Sequence, residues 1–440
     1  MPLKHIFLTA TAIAAPLLTA AAAPAPAPTE IELWHAMSGA NTQRIEALVQ
    51  EFNKEHTDYK VVPSFKGTYA EALTAGIAAF RAGNPPAILQ VQEVATASFM
   101  AAKGAVRPIA KVMHDADMPF DPSSYVAAVT GYYTAPSGEM LSFPFNSSTP
   151  VLYYNKDLMR QAGLDPSQPP RTWEEMGEAT QKLRAAGVPC GYTTTWMSWI
   201  ELENLAARHG QDFATLNNGF DGLGTSLRIT EPLFVKQIAT LADWQKTKQF
   251  DYGGRTNKAT PKFTSGECAL FTESSAGYAN VKAGAKFDWG IAPLPYWASE
   301  VKKPSNTIIG GASLWVMEKK PAAVYKGVAA FLDYLSRPDV QGKWSMQTGY
   351  LPITPAAYDY VKEQSFYEQN PGTEVGILEL NPDEPAKIKG IRLGNFLQIR
   401  DIIDEELEKV WAGQATAADA LKAAATRSDA ELRKFEAASQ

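Results

Sequence analysis

An alternation of two periodicities near the start of the chain limits the fold more than any other feature. Residues 31–37 (IELWHAM) switch between apolar and polar as a strand does, and Ile45, Leu48, Val49 and Phe52 then recur at helical spacing. Residues 59–65 (YKVVPSF) read as a second strand. Thr68 with Glu71 three residues on makes a capping box, and Leu73, Ile77 and Phe80 supply an apolar helix face before the stop at Gly83, Pro85 and Pro86. A third strand follows at 87–91 (AILQV). Strands separated by helices pair in parallel and keep helices on the sheet faces, so the class is α/β. The pattern returns later. Thr172 and Glu175 cap a helix ending near Gly187, residues 267–272 (ECALFT) read as a buried strand, and helical stripes run through Val324, Val328, Phe331, Leu332 and Leu335 and through Ile399, Ile402, Ile403, Val410 and Trp411. No Gly-, Ser- or Pro-rich linker separates the two α/β halves, so structured crossings must join them.

The N-terminus carries its own message. Lys4 and His5 precede an apolar run from Ile6 to Leu18, followed by the small residues Ala20 and Ala22, which is the pattern of a secretory signal peptide over residues 1–22. Residues 23–29 read as a Pro/Ala spacer. No later window holds the roughly 18 apolar residues of a membrane-spanning helix. A lipid anchor would need a cysteine at the cut, and the two cysteines are Cys190 and Cys268, so release into a periplasm is expected. In that compartment the two could form a disulfide or stand as buried thiols, and the sequence leaves both open. With a net charge of −6, nucleic acid and anionic membrane are poor candidates for the main partner.

Motifs of catalysis are absent. The chain has no GxSxG elbow, HExxH, CxxC or Walker loop, and His35, His56, His114 and His209 are too scattered to predict a metal site, so no enzyme activity, cofactor or metal is expected. The fold could still bring Glu93 and Glu203 together as a glycoside hydrolase pair, although Glu203, in WIELEN, reads more simply as part of a solvated helix face.

One segment stands out: residues 144–159, PFNSSTPVLYYNKDLM, put four small polar side chains before an apolar strand. Its core, SSTPVLYYNKDLM, together with RTWEEM at 171–176, resembles the large extracellular solute-binding proteins of ABC importers, the maltose-binding type. More narrowly, FKGTYAEALTAGIAAFRAGNPPAILQVQEV, PFNSSTPVLYYNKD, NTIIGGASLWVM, TGYLPIT and LGNFLQIRDIIDEELE resemble the members that bind sn-glycerol 3-phosphate. The likeness runs from about Trp34 to Phe435.

The resemblance implies two α/β lobes of the periplasmic binding protein fold, joined by a multi-strand hinge, with a ligand cleft between them. Residues 30–146 with 306–350 would form the first lobe and 150–304 with 355–440 the second, with crossings near 147–149, 305 and 351–354. It implies a monomer that takes sn-glycerol 3-phosphate, or glycerophosphodiesters such as glycerophosphocholine, to membrane permease subunits served by a cytoplasmic ATPase. A sugar-binding protein of the same fold is the alternative.

Seven residues match the family's ligand positions. They are Tyr69, Glu93, Ser148, Ser274, Gly311, Tyr350 and Arg400. Ser274 stands where a strand turns into a helix beginning near Ala276, Gly311 would let a backbone N–H approach an anion, and Arg400 could grip two phosphate oxygens with its planar fork. Glu93 could accept hydrogen bonds from glycerol hydroxyls. Taken alone, each has a plainer role: Arg400 could pair with Asp404 one turn on, Ser274 could be only a helix cap, and Gly311 only a packing position. Trp196 and Trp199 lie on one side of a helical turn by spacing, and the family implies that they face the cleft, where they could hold a choline head group.

Overall fold

The computed structural model describes residues 1–3, 5, 27–380 and 387–439. The signal peptide expected over 1–22 and the start of the 23–29 spacer lie largely outside the described residues. Ten strands among the described residues form two sheets. The first five are β1 (Thr29–His35), β2 (Tyr59–Phe65), β3 (Ile88–Gln92), β4 (Val106–Arg107) and β5 (Phe143–Ser148). Four more make the second sheet: β6 (Pro150–Asn155), β7 (Cys190–Thr194), β8 (Cys268–Ser274) and β9 (Trp289–Pro293). β10 (Gly310–Met317) returns to the first.

The first sheet has the order β2-β1-β3-β10-β4, with β5 also on β10. β1 pairs in parallel with β2 and β3, as the strand–helix alternation requires. β10 runs antiparallel to β3, β4 and β5, because it enters from the other lobe rather than through a helical crossover. In the second sheet the order is β7-β8-β6-β9. There β7 and β8 are parallel, while β6 is antiparallel to both neighbours. Cys190 lies opposite Cys268 in the β7–β8 register, and the two form a disulfide.

Each sheet has its own core. Ile31, Leu33, Ile45, Phe52, Val328 and Phe331 meet over the first, and Leu152, Trp173, Leu270, Ile399 and Ile403 over the second. Both predicted capping boxes are present, at Thr68 with Glu71 and at Thr172 with Glu175. One helix face differs from the reading of its periodicity. In helix Tyr69–Arg81 the buried residues are Ala72 and Gly76, while Ile77 is exposed and Leu73 and Phe80 are only partly buried. The cause is close approach to β3: a Cβ on Gly76 would lie 2.4 Å from Leu89 Cδ2, so the smallest side chains take the contact.

A single residue separates the sheets at their first connection. Ser148 pairs with Gly310 in the first sheet, Pro150 pairs with Ser274 in the second, and Thr149 stands between, its hydroxyl donating to Gly376 O at 2.6 Å. This juxtaposition brings the ends of β3, β5, β8 and β10 to one place. No helix among the described residues is long and apolar enough to cross a membrane.

Candidate functional site

Between the two sheets lies a cavity of about 710 Å3, within the range of small-molecule sites. Tyr69, Glu93, Ser148, Ser274, Gly311, Tyr350 and Arg400 all line it, although more than 300 positions separate the first from the last. Trp196 and Trp199 line it too.

Arg400 sits in the first turns of helix Phe396–Trp411, a helix whose apolar stripe packs into the second core. Its fork is already engaged. Nε donates to Glu203 Oε1 and Nη2 to Glu203 Oε2, both at 2.7 Å, and Nη2 also lies 2.9 Å from Glu93 Oε1. Nη1 has no partner among the described residues. Burial works against the guanidinium charge, but Glu203 and Glu93 outweigh it and hold the group more firmly protonated than a free arginine. The expected two-oxygen grip on phosphate through Nε and Nη2 is therefore occupied within the protein, and Arg400 does not pair with Asp404.

Glu203 is a second departure from the sequence reading. The stretch Trp199–Asn204 is a π-helical widening with all six residues buried, so the expected solvated face does not exist there. In the interior Glu203 lies against the Arg400 guanidinium, which supplies its counter-charge. The fold does bring Glu93 and Glu203 together, but on one guanidinium.

Glu93 opens a short 3-10 turn, Glu93–Ala95, at the end of the buried strand β3. Burial, only partly offset by Arg400, pushes its carboxyl up to about 7, and neighbouring Glu203 adds to the rise. Oε2 is buried with no partner among the described residues, which leaves a buried acceptor facing no donor. Glu93 belongs to the first lobe and Arg400 to the second, so their ion pair spans the cleft.

The remaining residues offer hydroxyls and backbone donors. Tyr69 starts helix Tyr69–Arg81, and its hydroxyl accepts from Asn146 Nδ2 at 3.2 Å. Asn146 Oδ1 in turn accepts from Gln90 at 2.8 Å, so the ring is positioned from beneath by β3 and β5. Tyr350 stacks on Trp344 at 6.0 Å between ring centres, beside Tyr69 and Asn146. Desolvation raises both phenols, which keeps them neutral donors at physiological pH. Gly311 has φ +104, and a Cβ there would come within 1.9 Å of Asn146 O, so no other residue fits the strand crossing. Ser274 ends β8 and its Oγ accepts from Ala276 N, capping the turn Ser275–Gly277. Its capping and lining roles coexist.

Trp196 does not lie on a helical turn. Its φ is +45, in the left-handed region, and the helical stretch begins after it. Its indole N–H donates to Glu273 Oε1 at 2.9 Å. Trp199 is buried, with its ring against the Cα of Gly310. Glu273, on the cavity wall, is held up to about 7 by burial, against the pull of its hydrogen bonds.

Sequence reasoning missed Glu273, Asn146 and Gln90 as site groups and misread Glu203. Asn146 stands in the polar run before β6, where strand alternation could single it out. Gln90, in the apolar AILQV, was a detectable signal, since a buried amide needs partners. Nothing local marks Glu273. Among the described residues no group of three or more His, Cys, Asp or Glu is placed to hold a metal ion.

The sequence pattern of bacterial extracellular solute-binding proteins matches residues 47–374. The chain belongs to that family. A sn-glycerol-3-phosphate-binding periplasmic protein, UgpB, of Pectobacterium atrosepticum is 50% identical over 434 residues, covering 98% of this chain and 97% of the relative. UgpB of Salmonella typhimurium is 50% identical over 437 residues, covering 99% of this chain and 100% of that one. Among solved structures, Mycobacterium tuberculosis UgpB in complex with glycerophosphocholine superposes with a TM-score of 0.77 at 22% identity, covering 93% of this chain and 99% of that one. The acarbose receptor GacH of Streptomyces glaucescens gives 0.77 at 20% identity, covering 93% and 100%. This solute-binding protein thus has the two-lobe periplasmic binding fold and is periplasmic, and proteins of its family bind solutes for ABC permease and ATPase subunits and are not enzymes.

Proposed function

We propose that this solute-binding protein captures sn-glycerol 3-phosphate and glycerophosphodiesters, glycerophosphocholine among them, for import by an ABC permease with its ATPase, acting as a monomer. The names of its half-identical relatives support the ligand class, and the chemistry of the cavity supports the orientation. Five charged residues among the described ones line the cavity, the cation Arg400 against Glu71, Glu93, Glu273 and Asp401. A phosphate therefore relies on neutral donors, the hydroxyls of Ser148, Ser274, Tyr69 and Tyr350 and the backbone N–H at Gly311. The glycerol hydroxyls fall to the charged end. The observation that carries this reading is the partnerless Glu93 Oε2 beside a guanidinium whose Nη1 is also without a partner: one acceptor and one donor, fixed by Glu203, suited to vicinal hydroxyls.

The lobes would move as two bodies, residues 30–146 with 306–350 and 150–304 with 355–440, crossing at 147–149. Ser305 N, Thr307 N and Ile308 N all donate to groups at Arg208, Glu379 and Asn204, which favours a second crossing just after Ile308 rather than at 305. Leu351 and Ile353 lie in the first core and Phe366 against the second sheet, so the crossing placed at 351–354 extends towards 366.

Calorimetry with sn-glycerol 3-phosphate, glycerophosphocholine and maltose tests the reading. Retention of one or both phosphate esters at one per chain, with no heat from maltose, is the expected result. Tight maltose binding with no response to either ester would assign the cavity to sugars.

A further inference from the structure

The two lobes meet a second time, away from the cavity, where the segment before helix Phe396–Trp411 crosses the end of helix Ala127–Tyr133. That short helix belongs to the first core through Val129, Tyr132 and Tyr133, whereas Ile391 and Leu393 of the crossing segment lie in the second. Arg392, between them, reaches over. Its Nη2 shares its hydrogens among Gly131 O, Tyr132 O and Thr134 O at 2.8, 2.6 and 3.0 Å. A helix end leaves its last carbonyls without intrahelical donors, and here the cation that satisfies two of them comes from the other lobe. No carboxylate among the described residues lies within ion-pair distance of Arg392, so those carbonyls are the negative ends it faces.

Neighbouring groups tie the same seam. The Tyr132 hydroxyl donates to Ile391 O, a Cβ on Gly390 would lie 2.4 Å from the Tyr132 ring, and Asn395 N donates to Ser98 Oγ at 3.2 Å. Phe220 follows Phe213 and Ala214 of the second core yet packs against the first, with its ring 4.3 Å from the Arg392 guanidinium and edge-on to Tyr132 at 6.3 Å. The turn that carries Phe220 is strained: Leu216, Asn217 and Asn218 have φ +54, +51 and +54, and Asn218 O accepts from Arg392 N at 2.8 Å. Three successive left-handed residues with side chains persist only where their surroundings enforce them. None of Tyr132, Phe220, Arg392 and Asn395 lines the ligand cavity. That cavity is bridged from wall to wall, by Glu93 on Arg400 at 2.9 Å and by Ala40 N on Asn280 Oδ1 at 3.4 Å, so the seam belongs to an arrangement with the lobes together.

We propose, on the two-lobe capture reading above, that Arg392 and the segment around it form a closing latch, which engages as the lobes come together and adds to the affinity for every ligand without touching any of them.

Calorimetry of the unmodified protein with sn-glycerol 3-phosphate, glycerophosphocholine and maltose first fixes which ligands it retains, and Arg392→Ala is then compared on each of those. The variant is expected to bind every retained ligand about ten-fold more weakly, by one common factor, because the seam favours closure and makes no ligand contact. Tyr132→Phe, which keeps the ring and removes one bond of the seam, should weaken them alike by about three-fold. In the unmodified protein, exchange of the Asn395 amide hydrogen should slow at least about ten-fold on ligand saturation, a comparison that needs no variant. Unchanged or tighter binding by Arg392→Ala would overturn the latch, since the seam would then hold equally well or better with the lobes apart. A loss confined to one ligand would overturn it too, by making Arg392 a ligand contact, and so would equal exchange at Asn395 with and without ligand. Should the Arg392→Ala chain fail to fold, Tyr132→Phe and the exchange comparison decide. Retention of maltose alone would sink the phosphate-ester reading and leave the latch to be judged on maltose, whereas a protein that retains none of the three would lose both.

Discussion

Arg400 shows what a buried charge does at the scale of a residue. Its fork is satisfied by Glu203 at 2.7 Å on two atoms and by Glu93 at 2.9 Å. Removing it leaves two buried carboxylates without their cation, so Arg400→Ala should cost about 3–5 kcal/mol of folding stability as well as ligand affinity. Denaturant midpoints and calorimetry together would check this, and a variant that loses binding at unchanged stability would contradict the triad. Titration gives a second test. Burial raises Glu93 and Glu273 to about 7 from a usual value near 4.5. A carboxyl whose folded value is raised adds stability that is full below about 4.5 and is lost as pH climbs through about 7. The ligand-free protein should therefore melt at a lower temperature at pH 8 than at pH 5, and the Glu93→Gln, Glu273→Gln double variant should show a smaller drop. An identical drop would remove both carboxyls from the pH dependence. At this scale the sequence reading was partial: Tyr69, Glu93, Ser148, Ser274, Gly311, Tyr350 and Arg400 were picked out through the family motifs, yet the partners of Arg400 were not, because Glu203 is 197 positions away and its burial depends on how a π-helical turn packs.

Elements were more legible. Capping boxes at Thr68 and Thr172, the strand runs and the apolar stripes depend on neighbours within a few positions, and they appear where local chemistry puts them. What failed was the face of helix Tyr69–Arg81, since the choice between Ile77 and Gly76 is made by Leu89 on a strand the periodicity does not see. Two predictions belong here. Gly311→Ala drives a methyl against Asn146 O at the β5–β10 crossing, and should cost at least about 2 kcal/mol and weaken binding. A variant of unchanged midpoint would show that the strand can relax there. The Cys190–Cys268 disulfide closes a sequence separation of 78, for which chain-entropy reasoning gives about 4 kcal/mol. Cys190→Ser with Cys268→Ser should lower the unfolding midpoint accordingly, and addition of a reductant should then have no further effect. The two cysteines alone could not decide between a bond and two thiols; the β7–β8 register does, by setting their Cα atoms 4.4 Å apart.

At the scale of the whole molecule, two sheets meet where one residue, Thr149, passes between them. An ion pair from Glu93 to Arg400 spans the cleft, and under the proposed function a ligand would close the lobes only to the extent that it binds the closed form better than the open one. The most direct test is a crystal structure grown with glycerophosphocholine. The phosphate should lie between the lobes against Ser274 and Gly311, with the glycerol hydroxyls on Glu93 and Arg400. A phosphate bound outside the cleft, or a cleft that holds only an uncharged sugar when both ligands are offered, would contradict the account.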